Sequence, residues 1–242
     1  MREAFAEAKA PRTSLNRRVG WHRRFALVRS DLGLVKRIAH AHRAKVNDVL
    51  MTALAGGLRE LLVGRGERVE GLALRAFVPV SLHTGQPGQA RGNLDGAMIV
   101  PLPVGEPDDE RRLELIAADT AERKKKPRPP GGTLFRNGPI QRAFLRLAPH
   151  QRVMNTYAAN VPGPPVPLYF AGAPLLEVFP VVPIMANVSL GVGALSYAGQ
   201  FNITAVADRE ACPDLEVFAE GVRGSLDVLA ASVQAGAASG KE

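Results

Sequence analysis

Five histidines, one cysteine and scattered hydroxyls are the side chains of this sequence able to move a proton or carry an acyl group. Acyl transfer or hydrolysis wants an imidazole beside a nucleophile, or one braced by an acid. Spacing does not supply it. His40 and His42 lie two apart on a helical pattern and point to different sides. His22 sits in a basic run, while His83 and His150 fall in turn or helix-end contexts with no acid at a telling distance. H-E-x-x-H, G-x-S-x-G and a Walker loop are all absent. Cys212 stands alone, which excludes a disulfide framework and any multi-cysteine metal site. The GVGA run at 191–194 opens no helix, so it is not a dinucleotide fingerprint.

Binding residues are easier to find than catalytic ones. Asn47 reads as a helix N-cap, and Asp48 places negative charge at the positive end of that helix. Asn160 precedes a Pro-Gly turn at Pro162-Gly163. Its amide can donate to a carbonyl or oxyanion, or satisfy local backbone as is commoner before such turns. Gly191 and Gly193 strip side chains from alternate strand positions, leaving room for a ligand or a neighbouring backbone. Ser196 and Tyr197 add hydroxyls on opposite faces of that strand. Lys124, Lys125, Lys126 and Arg128 form a basic loop, either an anion site or a solvated segment.

These residues need a scaffold, and periodicity sketches one. Asp31 caps a helix over 32–43, and a second, strongly apolar helix runs from Asn47 to Leu62 and ends at Gly64 and Gly66. Gly56 and Gly57 in its middle imply close approach of another backbone. Strands are expected at 72–80, 97–102, 156–161, 168–171, 175–181, 188–197 and 200–208, the last two joined by a hairpin at Ala198-Gly199. Helices are expected from about 106 to 121, over 137–152, and from Pro213 to about Val233. The sum is an α/β chain: one layered domain with a mixed sheet and flanking helices. Residues 1–24 read as a basic arm or linker, 25–235 as the domain and 236–242 as a frayed tail.

Composition narrows the rest. The chain has 242 residues, 46% apolar and 22% charged, enough for a sizeable core and incompatible with intrinsic disorder. No apolar run reaches the roughly 18 residues of a membrane span, and the start lacks a signal-peptide stretch, so the default expectation is cytoplasmic. The net charge of +8 is concentrated in two blocks, 1–45 and 123–152. With only 5% aromatic residues there is no base-stacking basic face, so specific nucleic-acid binding is not expected.

Several segments occur in an order that resembles one family. They are RRVGWHRR at 17–24, VNDVLMTALAGGLRELL at 46–62, RAFVPVS at 75–81, GN at 92–93, ANVPGPPVPLYFAGAPL at 159–175, LSYAGQF at 195–201 and VADREACPDL from 206. Together they resemble the C-terminal domain of bacterial wax ester synthase/acyl-CoA:diacylglycerol acyltransferases, within the chloramphenicol acetyltransferase-like superfamily. The resemblance implies one half of a CoA-dependent acyltransferase fold. It also implies acyl transfer from acyl-CoA, as substrate rather than cofactor, to diacylglycerol or a fatty alcohol in an apolar tunnel.

In that family the general base is the second histidine of H-H-x-x-x-D-G in the N-terminal half, a motif this sequence does not contain. The resemblance therefore implies a truncated or split C-terminal half with no catalytic residue of its own. An N-terminal acyltransferase half is the expected partner, and the basic loop is expected to meet CoA phosphates or an anionic membrane or lipid droplet. A non-catalytic binding or assembly module is the alternative. Ala159 stands where the family tends to carry Ser or Thr, and Leu82 and His83 where an arginine is usual.

Overall fold

The computed structural model describes residues 9–81, 95–125, 146 and 148–239. In chain order the elements are β1 (Arg23–Asp31), α1 (Leu32–Ala41), α2 (Val46–Gly64), β2 (Leu74–Ser81), β3 (Asp95–Leu102), α3 (Asp109–Lys125), β4 (Thr156–Pro162), β5 (Tyr169–Phe170), β6 (Ala173–Pro174), β7 (Leu190–Tyr197), β8 (Gln200–Asp208) and α4 (Leu215–Ser239). Six strands form one mixed sheet in the order β1-β8-β7-β4-β2-β3, and β5-β6 is a separate two-stranded hairpin. β4 runs parallel to both β2 and β7, and the other pairs are antiparallel. The mixed α/β layering expected from the sequence is the architecture observed.

The four helices named here pack with one face of the sheet. Ala26, Val28, Leu74, Ala76, Val78, Leu190, Val192, Ala194, Phe201 and Ile203 point into a core shared with α1, α2 and α4. α2 reads from the sequence as an amphipathic stripe, yet every residue from Asp48 to Leu58 is buried. The reason is its place: α4 lies along one side and α3 along the other, so it has little free surface. Gly57 permits this. A Cβ there would stand 2.6 Å from the Phe218 carbonyl oxygen and 2.6 Å from Val222 Cγ2, distances that no packed side chain tolerates.

Local signals hold at several termini. Asp31 caps α1 by accepting from the Leu34 amide at 2.6 Å. The β7–β8 turn has positive φ at Ala198 (46°) and Gly199 (87°), the paired left-handed geometry that suits a two-residue hairpin. α4 begins at Leu215, so Pro213 precedes the helix rather than opening it.

Four differences from the sequence reading have physical causes. β1 falls partly in the expected arm, and the segment before it is laid onto the domain: Leu15 is fully buried, and its carbonyl accepts from Ser189 Oγ. The strand expected at 175–181 is irregular, with Pro180 removing a donor that a ladder requires. α3 continues to Lys125, past the start of the expected loop at Arg123. Arg123 pairs with Asp119 at 2.5 Å, and basic residues favour a helix C-terminus. The expected helix over 137–152 lies largely outside the described residues, and 148–150 is a single 3-10 turn.

Candidate functional site

Strands β2, β4 and β7 are mutually parallel, and their C-terminal ends define one end of the sheet. Ligands of open α/β sheets gather at such ends. α2 leads through a short connection to the start of β2, so its N-terminus lies towards this same end. Asn47 and Asp48 are therefore brought to the end where Asn160, Gly163, Ser196 and Tyr197 sit.

The α2 terminus is organised differently from the expectation. Lys45, not Asn47, is the N-cap residue, and Asn47 stands half-buried inside the first turn. The chain enters the helix two residues earlier because Asp48, not Asn47, supplies the capping carboxylate. Asp48 Oδ2 accepts from the Lys45 amide at 2.9 Å, and Oδ1 accepts from Thr120 Oγ1 at 2.8 Å. A buried carboxylate thus ties α2 to the C-terminal part of α3, while the Asn47 side chain makes no hydrogen bond among the described residues. Lys124 and Lys125 end α3. Their side chains, and Lys126 and Arg128, lie outside the described residues, as does His83.

Asn160 is half-buried, with its Cα opposite Ala194 on β7. Among the described residues its side-chain amide makes no hydrogen bond, to local backbone or otherwise. One residue past the end of β4, the Gly163 amide donates to Ser196 Oγ at 3.3 Å. A Cβ on Gly163 would lie 2.2 Å from the Ser196 carbonyl oxygen, so only glycine fits this crossing.

On the other face Tyr197 is 1% exposed. Its hydroxyl accepts from the Leu168 amide at 2.8 Å and donates to the Leu175 carbonyl at 2.7 Å. The two bonds clamp both legs of the β5-β6 hairpin at its base. Beyond the clamp the hairpin stands free, with Tyr169 70% and Phe170 78% exposed.

The room over Gly191 and Gly193 is taken. Cβ atoms there would meet Ile184 Cγ2 at 3.0 Å and Val182 Cγ1 at 2.9 Å respectively. The irregular strap 177–186 therefore occupies the space, with the side chains of Pro180, Val182 and Ile184 rather than the backbone that was the alternative to a ligand. Ala159 joins the same small cluster with Val182, Ile184 and Val206. The strap is held by Asn202 Nδ2 donating to the Val178 carbonyl at 3.1 Å and by the bidentate Arg29–Glu177 pair at 2.6 and 3.0 Å. Arg29 also lies 5.1 Å from the Phe179 ring centre. Beneath it Asn202 Oδ1 and Thr204 Oγ1 are buried and have no hydrogen-bond partner among the described residues. A shallow cavity of about 440 Å³ opens beside it, lined by Arg29, Ser30, Asp31, Glu177, Gly199, Gln200 and Asn202. Arg29 and Glu177 are 148 residues apart, and no local signal marks them.

The ionisable interior is structural. The Asp214 carboxyl is held below its usual range by the Arg65 guanidinium, which bonds it through two nitrogens. Burial pushes the Cys212 thiol up, against a smaller opposing pull from Arg65. Burial also works against the charge of Asp208. The amides of Ala211, Gly20 and Glu210 outweigh it and hold that carboxyl low. Among the described histidines, His22, His40 and His150 are exposed, and His42 contacts Ser232 Oγ at 3.4 Å. No group of three or more metal-ligating side chains occurs among the described residues. No described helix is long and apolar enough to cross a membrane.

Residues 91–230 match the model of the WS/DGAT C-terminal domain. The chain belongs to the wax ester synthase/diacylglycerol acyltransferase family. Residues 1–50 match the wax ester synthase/diacylglycerol acyltransferase catalytic domain, so the border between the two family models falls near or beyond α2 and divides a single sheet. A Mycobacterium tuberculosis H37Rv protein provisionally named a diacylglycerol O-acyltransferase is 30% identical over 237 residues, which are 93% of this chain and 46% of the relative. The probable diacylglycerol O-acyltransferase tgs1 of the same strain is 29% identical over 228 residues, 90% of this chain and 49% of that protein. The wax ester synthase/diacylglycerol acyltransferase from Marinobacter aquaeolei VT8 superposes with a TM-score of 0.75 at 26% identity, covering 93% of this chain and 52% of that one. The starter condensation domain of rhizomide synthetase shares the fold, with a TM-score of 0.55 at 15% identity. The chain spans about half the length of the wax ester synthase/diacylglycerol acyltransferase relatives it matches.

Proposed function

We propose that this chain forms the C-terminal half of an O-acyltransferase that moves an acyl group from acyl-CoA to diacylglycerol or a fatty alcohol. The supporting observation is a full-length likeness, in sequence and fold, to only half of the family's enzymes. The proton-accepting imidazole of H-H-x-x-x-D-G belongs to the other half, on the same or a separate polypeptide. That imidazole takes the acceptor's hydroxyl proton, the oxygen attacks the thioester carbonyl, and CoA leaves as the thiol with the proton returned to it. The contribution of this half is shape and polarity. Asn160 and Asn47 offer unspent amides at the C-terminal end of the parallel strands, and the N-terminus of α2 favours negative charge. Lys124, Lys125, Lys126 and Arg128 would extend that positive end towards CoA phosphates or an anionic membrane or lipid body.

The clamped hairpin supports the pairing of two halves. An isolated two-stranded hairpin is marginal in water, and this one exposes Val166, Tyr169, Phe170 and Leu176. Such a surface fits a polypeptide partner. The test is palmitoyl-CoA transfer to hexadecanol and to dioleoylglycerol by the purified chain alone, and with the N-terminal half of the Marinobacter enzyme added. Ester formation only in the mixture is the expected result. Robust turnover by this chain alone would overturn the assignment of the base to the other half. Co-elution of the two halves without turnover would favour a non-catalytic assembly module.

A further inference from the structure

We infer that the corner of the domain carrying Trp21 is a docking surface for an anionic lipid bilayer. Trp21 is 96% exposed, the most exposed large apolar side chain among the described residues. An indole left wholly in water is unusual unless something wet on one side and greasy on the other receives it. The chain holds it there firmly. The Gly20 amide, next to it, donates to Asp208 Oδ2 at 2.7 Å. On its other side the His22 carbonyl accepts from the Arg209 amide at 3.1 Å, and the Val19 amide reaches the Ala186 carbonyl at 2.9 Å. Trp21 is thus presented by a loop pinned on both flanks.

Its surroundings are cationic. Arg17, Arg18, Arg24 and Arg209 are exposed around it, and Arg17 and Arg18 have no acidic partner among the described residues. The acids nearby are mostly spent: Asp208 is buried and takes three backbone amides, and Asp214 is bound to Arg65. Glu210 is the exposed carboxylate of this corner. Phe25, 52% exposed, continues the apolar surface onto the outer strand β1. A rigid exposed ring ringed by long cationic side chains matches a lipid interface. There the indole sits at headgroup depth and arginines reach phosphate with their charge while burying their stems.

Position separates this surface from the hairpin. Arg23 pairs with Asp208 at one end of β8, and Tyr197 with Gln200 at the other. Nine residues of strand put about 26 Å between the two ends. A bilayer at Trp21 and a partner at the hairpin can be engaged together. The lipid surface requires nothing of the acyl-transfer chemistry.

Trp21 is the sole tryptophan of the chain, so its own emission reports the contact. The experiment titrates the full chain with phosphatidylcholine vesicles containing about 30% phosphatidylserine, and with pure phosphatidylcholine. A blue shift, loss of acrylamide quenching and co-flotation are expected with the anionic vesicles only. All three should reverse near 1 M salt, where the screening length falls to about 3 Å. Arg17→Gln with Arg18→Gln should weaken partitioning about 30-fold. Trp21→Ala should weaken it about tenfold, and neither change should affect folding at so exposed a site. Unchanged emission at saturating vesicle, equal binding to neutral vesicles, or variants that float like the parent would each overturn the inference. So would a blue shift produced by polyglutamate and not by vesicles, which would mark an acidic protein site instead.

Discussion

Two glycines in the helical layer should respond to alanine with opposite signs. At Gly57 a methyl group would meet the Phe218 carbonyl oxygen and Val222 Cγ2, both at 2.6 Å. One of these is backbone, so relief requires α2 and α4 to move apart by several tenths of an ångström along their contact. Overpacking of this kind costs about 3 kcal/mol, and the better helix propensity of alanine returns about 1 kcal/mol. Gly57→Ala should therefore destabilise the domain by about 2 kcal/mol. Gly224 lies on the exposed side of α4 with nothing within 4 Å of its virtual Cβ. There the propensity term stands alone, and Gly224→Ala should stabilise by about 0.5–1 kcal/mol. Urea unfolding followed by far-ultraviolet circular dichroism gives both numbers from the midpoint and slope. A Gly57→Ala protein as stable as the parent, or the same sign at both positions, would refute the close-packed α2–α4 contact.

Asp48→Ala removes one carboxylate from both the Lys45 amide and the Thr120 hydroxyl, and should cost about 1–2 kcal/mol in the same assay. Tyr197→Phe unclamps the hairpin base, so the Leu168 amide should exchange with solvent about tenfold faster while the sheet amides keep their protection. Asp208 and Asp214 both titrate below their usual range in the folded chain. The unfolded state therefore binds more protons in acid, and their contribution is complete above about pH 4 and lost as the pH falls through the lowered folded values. The thermal midpoint should drop on acidification across that window, and Asp208→Asn should flatten the drop.

The elements legible in the sequence are those whose signals are local. Asp31 announced α1 because its carboxylate serves an amide three residues on. Gly57 announced a backbone contact, the Phe218 carbonyl, whereas Gly56 makes room for the side chains of Ser225 and Arg112. β1 was not legible: Phe25 and Leu27 point outward while Ala26 and Val28 point inward, so all four apolar residues hide the alternation of an outer strand. The strap failed for the opposite reason. Leu175–Val181 is as apolar as a strand, but Pro180 and its carbonyl bonds to Gln200 and Asn202 lay it across the sheet rather than within it.

The candidate site divides along the same line. Asp48 was placed correctly at a helix start, but its second partner, Thr120, lies 72 residues away. Ser196 and Tyr197 were recognisable as hydroxyls, yet nothing nearby in the chain tells that one receives the Gly163 amide and the other fastens a hairpin. Pairings of this reach depend on which strands end up adjacent.

The nine-residue register of β1 against β8 has a practical meaning for anyone recombining such enzymes. Sequence families assign residues 1–50 and 91–230 to different modules, which invites a crossover between them. A chimaera joined there would set a β1 inherited from one parent against a β8 from another, with inward and outward side chains that never co-evolved. Grafts that keep everything from Ala10 onward in a single parent should be the ones that remain intact.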